Sequence, residues 1–418
     1  MSKHVIDHAK RCLQCKDPRC IKGCPVSTPI RDAIHLLLDS KVEEAGRMLF
    51  ENNPLSIVCS LICPQENQCE GHCVLSKKGI PVHISAIEQY ISDYYLNLYT
   101  PETSKKTQGK IAIIGSGPAG ITIAFLLARR HYDVTIFEGN DHIGGIMRYG
   151  IPEFRLPKSI LDRLMNLLLN SGVKIRPNTT IGSSLTVDEL FRDGYRAIFL
   201  GTGVWRPRKM GIKGESLGHV HFAIEYLRNP DVYHLGKRVC IIGAGNVAMD
   251  VARTALRHGS REVYVICNRG ESTITARNVE VEYAKIDGVK FEFFQTVVEF
   301  VDEGLMLADS RVYTDEDGNE QAQPIAGTEK LFAADSVIVA ISQGPRSVIV
   351  STTGGIGVKD SGLVITDDCG RTTREGVFAS GDVVTGAKTV VEAVRVSRRV
   401  AEAIDQYVTE HYPAETEA

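Results

Sequence analysis

The chain has 418 residues, 43% hydrophobic and 24% charged, the balance of a globular protein of two to four domains with a sizeable core. A net charge of −3 and the lack of any long Lys/Arg block argue against nucleic acid or an anionic membrane as partner. The start, Met1 to His8, has no apolar signal region, and no run approaches the roughly 18 apolar residues of a spanning helix, so a cytoplasmic protein is expected.

Eight of the eleven cysteines fall within residues 12–73, in two blocks. The first is Cys12-x2-Cys15-x4-Cys20-x3-Cys24-Pro25; the second is Cys59-x3-Cys63-Pro64-x4-Cys69-x3-Cys73. With no export signal ahead of them, reduced, metal-bound thiolates fit better than disulfides. Iron–sulfur clusters take thiolates in fours, and in two-cluster ferredoxins the last Cys of a Cys-Pro run ligates the other cluster. The blocks therefore read as two [4Fe–4S] centres with crossed ligation, although the x4 spacing departs from the bacterial ferredoxin run. Two structural Cys₄ zinc sites are the competing reading. Between the blocks, Ile30 to Phe50 carries Ile34, Leu37, Leu38, Val42, Ala45 and Leu49 at helical spacing, a packing face.

Residues 101–109 form a polar linker. Lys110 to Ile114 then reads as a buried strand, followed directly by Gly115-Ser116-Gly117-Pro118-Ala119-Gly120 and a helix to about Arg130. Strand, glycine turn and helix make a dinucleotide site: Gly115 permits the turn, Gly117 admits a pyrophosphate, Gly120 lets helix approach strand, and the helix N-terminus offers free N–H groups. The next strand, Asp133 to Phe137, ends in Glu138, placed to hold a ribose hydroxyl. Gly144-Gly145 gives the second close backbone approach that two-dinucleotide flavoproteins use for FAD. A loop, Ile146 to Pro157, follows. Its Arg148 and Arg155 read as surface charge, with Arg155 also a candidate cofactor contact. Then come a helix to about Asn170 and strands at Val173 to Arg176 and Ala197 to Leu200. Gly201-Thr202-Gly203 suits a crossover beside a cofactor.

Arg238 to Ile242 opens a second nucleotide fold, with Gly243-Ala244-Gly245-Asn246-Val247-Ala248 as its turn and helix start. After the strand Glu262 to Ile266, no carboxylate stands where an NAD-type site carries one. Arg269, together with Arg277, is placed for a 2′-phosphate, so NADPH is favoured over NADH. Val337 to Ala340 reads as the strand leaving this fold. The last section runs through a strand into Gly381-Asp382, then a helix from about Thr389 and Val390 to Val408, whose N-terminus faces a flavin pyrimidine in two-dinucleotide flavoproteins. The fold class is α/β: two Rossmann-like domains, a split FAD domain with an inserted NAD(P)H domain, preceded by a helical domain with two [4Fe–4S] clusters. The expected boundaries are 1–104, 105–204, 205–345 and 346–418. Cys240 and Cys267 read as packing residues.

With these motifs in one order, the whole chain resembles the glutamate synthase small-subunit family, which includes the N-terminal half of dihydropyrimidine dehydrogenase and its bacterial flavin subunit. Specific local matches are Cys12-Leu-Gln-Cys15, Ile62-Cys63-Pro64, the run Gly150 to Pro157, Val247-Ala-Met-Asp250 and Gly381-Asp382-Val-Val. The resemblance implies one cluster on Cys12, Cys15, Cys20 and Cys73, and another on Cys24, Cys63 and Cys69 with a glutamine as fourth ligand. Counting onward from Cys73 puts that glutamine at Gln89 and leaves Cys59 beside the cluster; spacing alone favours Cys59, and both stay open. It also implies that Asp382 accepts from the FAD ribityl hydroxyls.

Hydride arrives as two electrons and each cluster takes one, so the flavin converts between them. No side-chain nucleophile is expected, and no Cys pair lies between Cys73 and Cys240 to make a disulfide reductase. With no room after Gly381-Asp382 for a second catalytic barrel, the acceptor is expected elsewhere, on a partner subunit or a ferredoxin, in a hetero-oligomer. The alternatives are the flavin subunit of a dihydropyrimidine dehydrogenase or of a bifurcating ferredoxin:NAD(P) oxidoreductase and, in another class, a zinc-stapled nucleotide-binding scaffold.

Overall fold

The computed structural model describes residues 2–101, 105–315, 318 and 320–413. Three residues of the expected linker, 102–104, lie outside them. The chain forms two compact units. One comprises the residues up to Arg148, Glu153–Val204 and those from Pro345 onward; the other comprises Tyr149–Pro152 and Trp205–Gly344.

The first unit begins with a helical module whose longer helices are Ser2–Lys10, Ile30–Leu38, Val42–Asn52, Ser56–Ile62 and Ile84–Leu98. Their apolar faces meet around Ile34, Leu37, Leu49, Ile87 and Ile91, and Cys12, Cys20, Cys69 and Cys73 pack against that cluster. The single apolar face read over 30–50 is two helices. Ser40 takes φ +64°, Ser40 N–H reaches Leu37 O (3.1 Å) and Lys41 N–H reaches Leu36 O (2.8 Å), a Schellman closure without the usual glycine.

In the same unit the strands run Val377–Ala379, Tyr195–Leu200, Lys110–Ile114, Asp133–Phe137, Lys174–Arg176, all parallel. Ile111 to Ile114 are at most 3% exposed, as suits a strand covered on both faces. The edge strand Val377–Ala379 arrives after the whole second unit, so this fold is split as expected. Helix Pro118–Arg129 packs on helix Val390–His411. Phe50 of the helical module meets Phe125 edge-on (5.4 Å), and Arg163 pairs with Asp93 (2.6 Å). Arg398 of the long helix donates to Val26 O (3.3 Å) and Asn52 Oδ1 (3.2 Å).

The second unit holds another five-stranded parallel sheet, Val220–Phe222, Ser336–Val339, Arg238–Ile242, Glu262–Ile266, Lys290–Glu292. An antiparallel meander, Gln295–Val301, Gly304–Thr314, Glu320–Pro324 and Lys330–Ala333, is added to it in sequence. Cys240 and Cys267 are 0% and 5% exposed, and burial pushes their thiols up to about 12 and about 11. They are packing residues, as read. Among the described residues, no helix is long and apolar enough to cross a membrane.

Candidate cofactor and cluster sites

The turn after Lys110–Ile114 is shaped by its glycines. A Cβ on Gly115 (φ +95°) would stand 2.6 Å from Gly201 O, and one on Gly120 only 2.0 Å from Gly115 O. One on Gly117 would meet nothing nearer than Gly201 O at 3.9 Å. The outer glycines are thus required by the protein's own packing, whereas the middle one keeps open the side on which a pyrophosphate approaches. Pro118 and Ala119 begin the helix, Pro118 in a first-turn position that needs no N–H donor. Gly144 (φ +125°) donates to Ser116 O (3.0 Å), and Gly145 (φ +51°) comes so close that a Cβ would be 2.8 Å from Gly117 Cα. The Gly-Gly pair and the fingerprint form one cradle.

Glu138, 5% exposed, is more occupied than the sequence suggests. One carboxylate oxygen accepts from Ser116 N (3.0 Å) and from the Ser116 hydroxyl; the other accepts from Asn140 N (2.8 Å) and Asn140 Nδ2 (2.8 Å). Four donors fill a carboxylate's usual capacity. A ribose hydroxyl held by Glu138 would take the place of one of the two side-chain donors, so Ser116 and Asn140, neither of them singled out in the sequence, would border it.

Gly203 (φ +68°) lies beyond the strand Tyr195–Leu200, and Arg155 is half-buried in the loop before helix Lys158–Asn170. Gly381 (φ +75°) brings its backbone against helix Pro118–Arg129: a Cβ there would be 3.2 Å from Ala119 Cβ. Asp382 follows, accepting from Lys388 N (3.1 Å), and burial pushes its carboxyl up to about 6. Thr389 caps helix Val390–His411 through Glu392 N (3.4 Å), with Val390 buried behind it. These C-terminal residues and the glycine cradle belong to one unit, and their shape fits FAD.

The second fingerprint repeats the pattern. A Cβ on Gly243 (φ +124°) would be 2.6 Å from Ala340 O, while one on Gly245 would meet only Thr275 Oγ1, at 3.7 Å. Val247 is half-buried, and Ala248 in the third place is fully buried. Asn246 Oδ1 accepts from Arg277 N (2.9 Å). The two arginines differ. Arg269, just past the strand Glu262–Ile266, donates to Glu320 O (3.2 Å) from an exposed position. The Arg277 side chain is only 10% exposed and turns toward Glu280 (3.8 Å).

The thiols sort into two sets by their neighbours. Burial raises the Cys12 thiol and pushes Cys20 up to about 11; Cys15 and Cys73 add to the first, Cys73 and Cys12 to the second. All four of these cysteines line one cavity, walled by Ile30, Ile34, Val82 and Ile84. In the other set, the Cys63 thiol is raised by its hydrogen bond with Cys59 and then by burial, with Glu88 and Cys69 also acting on it. Cys69 is raised by burial, then by Glu88, Glu70 and Cys24; Cys24 is raised by burial, with Glu88 again a neighbour. Cys59, 4% exposed, accepts from Asn53 Nδ2 (3.3 Å). Among the described residues no three His, Cys, Asp or Glu close in far enough to clasp a single ion.

Gln89 and its neighbour Glu88 differ in burial. Gln89 is exposed on the outer face of helix Ile84–Leu98, whereas Glu88 is 7% exposed, on the face that buries Ile84, Ile87 and Ile91. Burial pushes the Glu88 carboxyl up to about 8. It makes no hydrogen bond or ion pair with a described residue, although a buried carboxylate needs a partner. The apolar spacing i, i+3, i+4 of Ile84, Ile87, Glu88 and Ile91 marks Glu88 as the inward position next to Gln89. Three thiols and one orphan carboxyl fit a four-iron cluster.

A helical thiol module joined to two glycine-cradled dinucleotide folds defines an iron–sulfur flavoprotein that uses a pyridine nucleotide. The family described as pyridine nucleotide-disulphide oxidoreductase matches residues 109–398, and the one described as dihydropyrimidine dehydrogenase domain II, 4Fe-4S cluster, matches residues 1–99. The glutamate synthase [NADPH] small chain of Escherichia coli is 32% identical over 424 residues, covering 95% of this chain and 90% of that one. The chain belongs to the glutamate synthase small-subunit family of FAD- and [4Fe–4S]-dependent NAD(P)H oxidoreductases. The NADP(+)-dependent formate dehydrogenase subunit beta of Moorella thermoacetica is 35% identical over 426 residues, covering 93% of this chain and 60% of that one. Among solved structures, Mycobacterium tuberculosis FprA in complex with NADPH superposes with a TM-score of 0.63 at 19% identity, over 72% of this chain and 85% of that one, a likeness of fold.

Proposed function

We propose that the protein is the cytoplasmic electron-input subunit of a larger enzyme, oxidising NADPH and passing electrons singly to a partner subunit. The observation that carries this reading is the crossed sorting of thiols, with Cys24 set among Cys63, Cys69 and Glu88, close to where Arg398 of the FAD fold holds Val26. FAD, when bound, accepts electrons in pairs and gives them up singly, and the clusters carry them one at a time. The chain's own residues bind and orient. Gly117 and Gly245 leave room for pyrophosphates, Glu138 and Asp382 receive hydroxyls, and the N-terminus of helix Val390–His411 favours negative charge. The first quartet is Cys12, Cys15, Cys20 and Cys73. The second is Cys24, Cys63, Cys69 and Glu88, with Cys59 hydrogen-bonded beside Cys63. Anaerobic titration of the purified protein with NADPH should bleach the flavin and then raise a cluster signal in electron paramagnetic resonance. Flavin that bleaches while the clusters stay oxidised would count against electron input.

Arg269 is the residue assigned to the 2′-phosphate. A lost charge-assisted bond of about 1.5–3 kcal/mol corresponds to roughly ten- to a hundredfold. Arg269→Ala should therefore raise KM for NADPH by that factor and leave KM for NADH unchanged; equal increases for both would remove Arg269 from that role. Asp382 gives a pH dependence. Burial favours its neutral form, so in the flavin-free protein it ionises only above about pH 6. A ribityl hydroxyl donates best to the ionised form, so FAD should bind more tightly at pH 7.5 than at pH 5, and Asp382→Asn should flatten that profile.

The resemblance to a formate dehydrogenase subunit supports a second choice of partner, another dehydrogenase or a ferredoxin in place of a glutamate synthase large subunit. Co-purification from the native host separates the two.

A further inference from the structure

We propose that electrons leave through a basic face with an apolar centre lying over the first thiol quartet, and that the partner there is an acidic redox protein of the ferredoxin type. The inference rests on the electron-input reading, taken with the ferredoxin given above as the second choice of partner, and adds the exit and the chemistry of what docks on it. Cys12, Cys15, Cys20 and Cys73 are half-buried, as are Cys24 and Cys69 of the other set, in which Cys63 is 8% exposed; what singles out the first quartet is the surface around it. Beside the first quartet stand two large apolar side chains in water, Leu13 at 60% and Ile80 at 64% exposure. Arg11 ties them to one place: its guanidinium donates to Pro81 O (3.0 Å) and Ile80 O (2.5 Å), fixing that loop beside the Cys12 segment.

Charge sets the partner. Segments 10–31 and 73–83, which carry these four cysteines, hold eight lysines and arginines against one aspartate, in a chain whose net charge is −3, although Arg31 is paired with the adjoining Asp32 (2.9 Å). That aspartate, Asp17, is already paired with Lys22 (2.6 Å). Lys10, Lys16, Arg19, Lys77 and Lys78 are exposed and make no ion pair with a described residue. Such a patch repels cations and steers an acidic surface toward it, while an apolar centre of two side chains suits a brief encounter that excludes water over the cluster. The helical module as a whole offers no such excess, since residues 1–100 carry equal numbers of acidic and basic residues. Each NADPH oxidised yields NADP⁺, one proton and two electrons, so two acceptor molecules are each reduced by one electron.

The test uses the full-length holoprotein with NADPH as donor, an acidic [2Fe–2S] ferredoxin as acceptor and basic cytochrome c in parallel. Ferredoxin reduction should slow steeply with added salt. The triple variant K16E/K77E/K78E should lower kcat/KM for ferredoxin at least tenfold, and K16R/K77R/K78R should restore it. NADPH-driven reduction of flavin and clusters, followed by stopped flow, should be the same in all three proteins. Ferredoxin kinetics unchanged in the charge-reversed protein overturn the proposal, as does an equal loss with cytochrome c. Clusters that NADPH cannot reduce in the unsubstituted protein overturn the electron-input reading, and this exit with it.

Discussion

Replacing Glu88 with alanine should remove about half of the bound iron and acid-labile sulfide, because one of two four-iron sites loses a ligand. Replacing Gln89 should remove none. The contrast follows from two adjacent residues about 100° apart around one helix. Glu88 faces Cys24, Cys63 and Cys69, with its carboxyl raised to about 8 and without a hydrogen-bond partner; Gln89 faces water. Loss of fold is not the cause to expect in the alanine variant, since deleting a lone buried acid relieves a desolvation cost that runs to several kcal/mol when no metal compensates it. Glu88→Gln keeps an oxygen donor and should keep the cluster, at a changed reduction potential. Iron and sulfide assays with electron paramagnetic resonance decide the matter: full iron in Glu88→Ala, or a loss confined to Gln89→Ala, removes Glu88 from the ligand set.

Glu138→Ala should give a flavin-free protein, with FAD affinity down at least a hundredfold (about 2.8 kcal/mol at 1.4 kcal/mol per decade). Its carboxylate holds Ser116 N and Asn140 N as well as their side chains. Alanine strands the buried Ser116 N–H, at about 1–3 kcal/mol, and frees the half-buried Asn140 N–H. That is a large fraction of a typical total stability of about 5–15 kcal/mol, so the substitution should also lower the melting temperature before any flavin is added. Glu138→Gln retains one acceptor oxygen but turns an NH₂ toward donors, and should fall between. Thermal unfolding of the flavin-free proteins separates the carboxylate's hold on the turn from its hold on FAD. A Glu138→Ala protein that purifies with one FAD per chain would disprove the assignment.

The dinucleotide folds were legible because their signals are local. Lys110–Ile114, Asp133–Phe137, Arg238–Ile242 and Glu262–Ile266 fall where apolar runs bounded by turn residues put them. Each glycine's role can be read from its place in the turn, and the added-Cβ distances agree. What escaped depends on geometry that residue types do not announce. Ser40 closes a helix in a conformation usually marked by glycine. The meander from Gln295 to Ala333 lost its alternation at a register shift between Val297 and Glu299, which moves the following side chains to the opposite face. Glu88 was not singled out because a lone acid within an apolar helix face announces no ligand in the sequence. The full occupancy of Glu138 has no signal in the sequence, because it comes from Asn140 reaching back two residues to bond it.

The hydrogen bonds from Arg398 to Asn52 and Val26 also bear on biosynthesis. Asn52 and Arg398 are 346 residues apart. At about 5–20 residues per second, the ribosome needs roughly 20–70 s to deliver the second after the first. For that time the emerging thiol module lacks the helix that holds Val26 and Asn52, although Phe125, the neighbour of Phe50, follows within 75 residues. Iron insertion thus falls either to that interval, under chaperone cover, or after release, and pulse-labelled chains arrested short of Arg398 would show which by whether they carry iron.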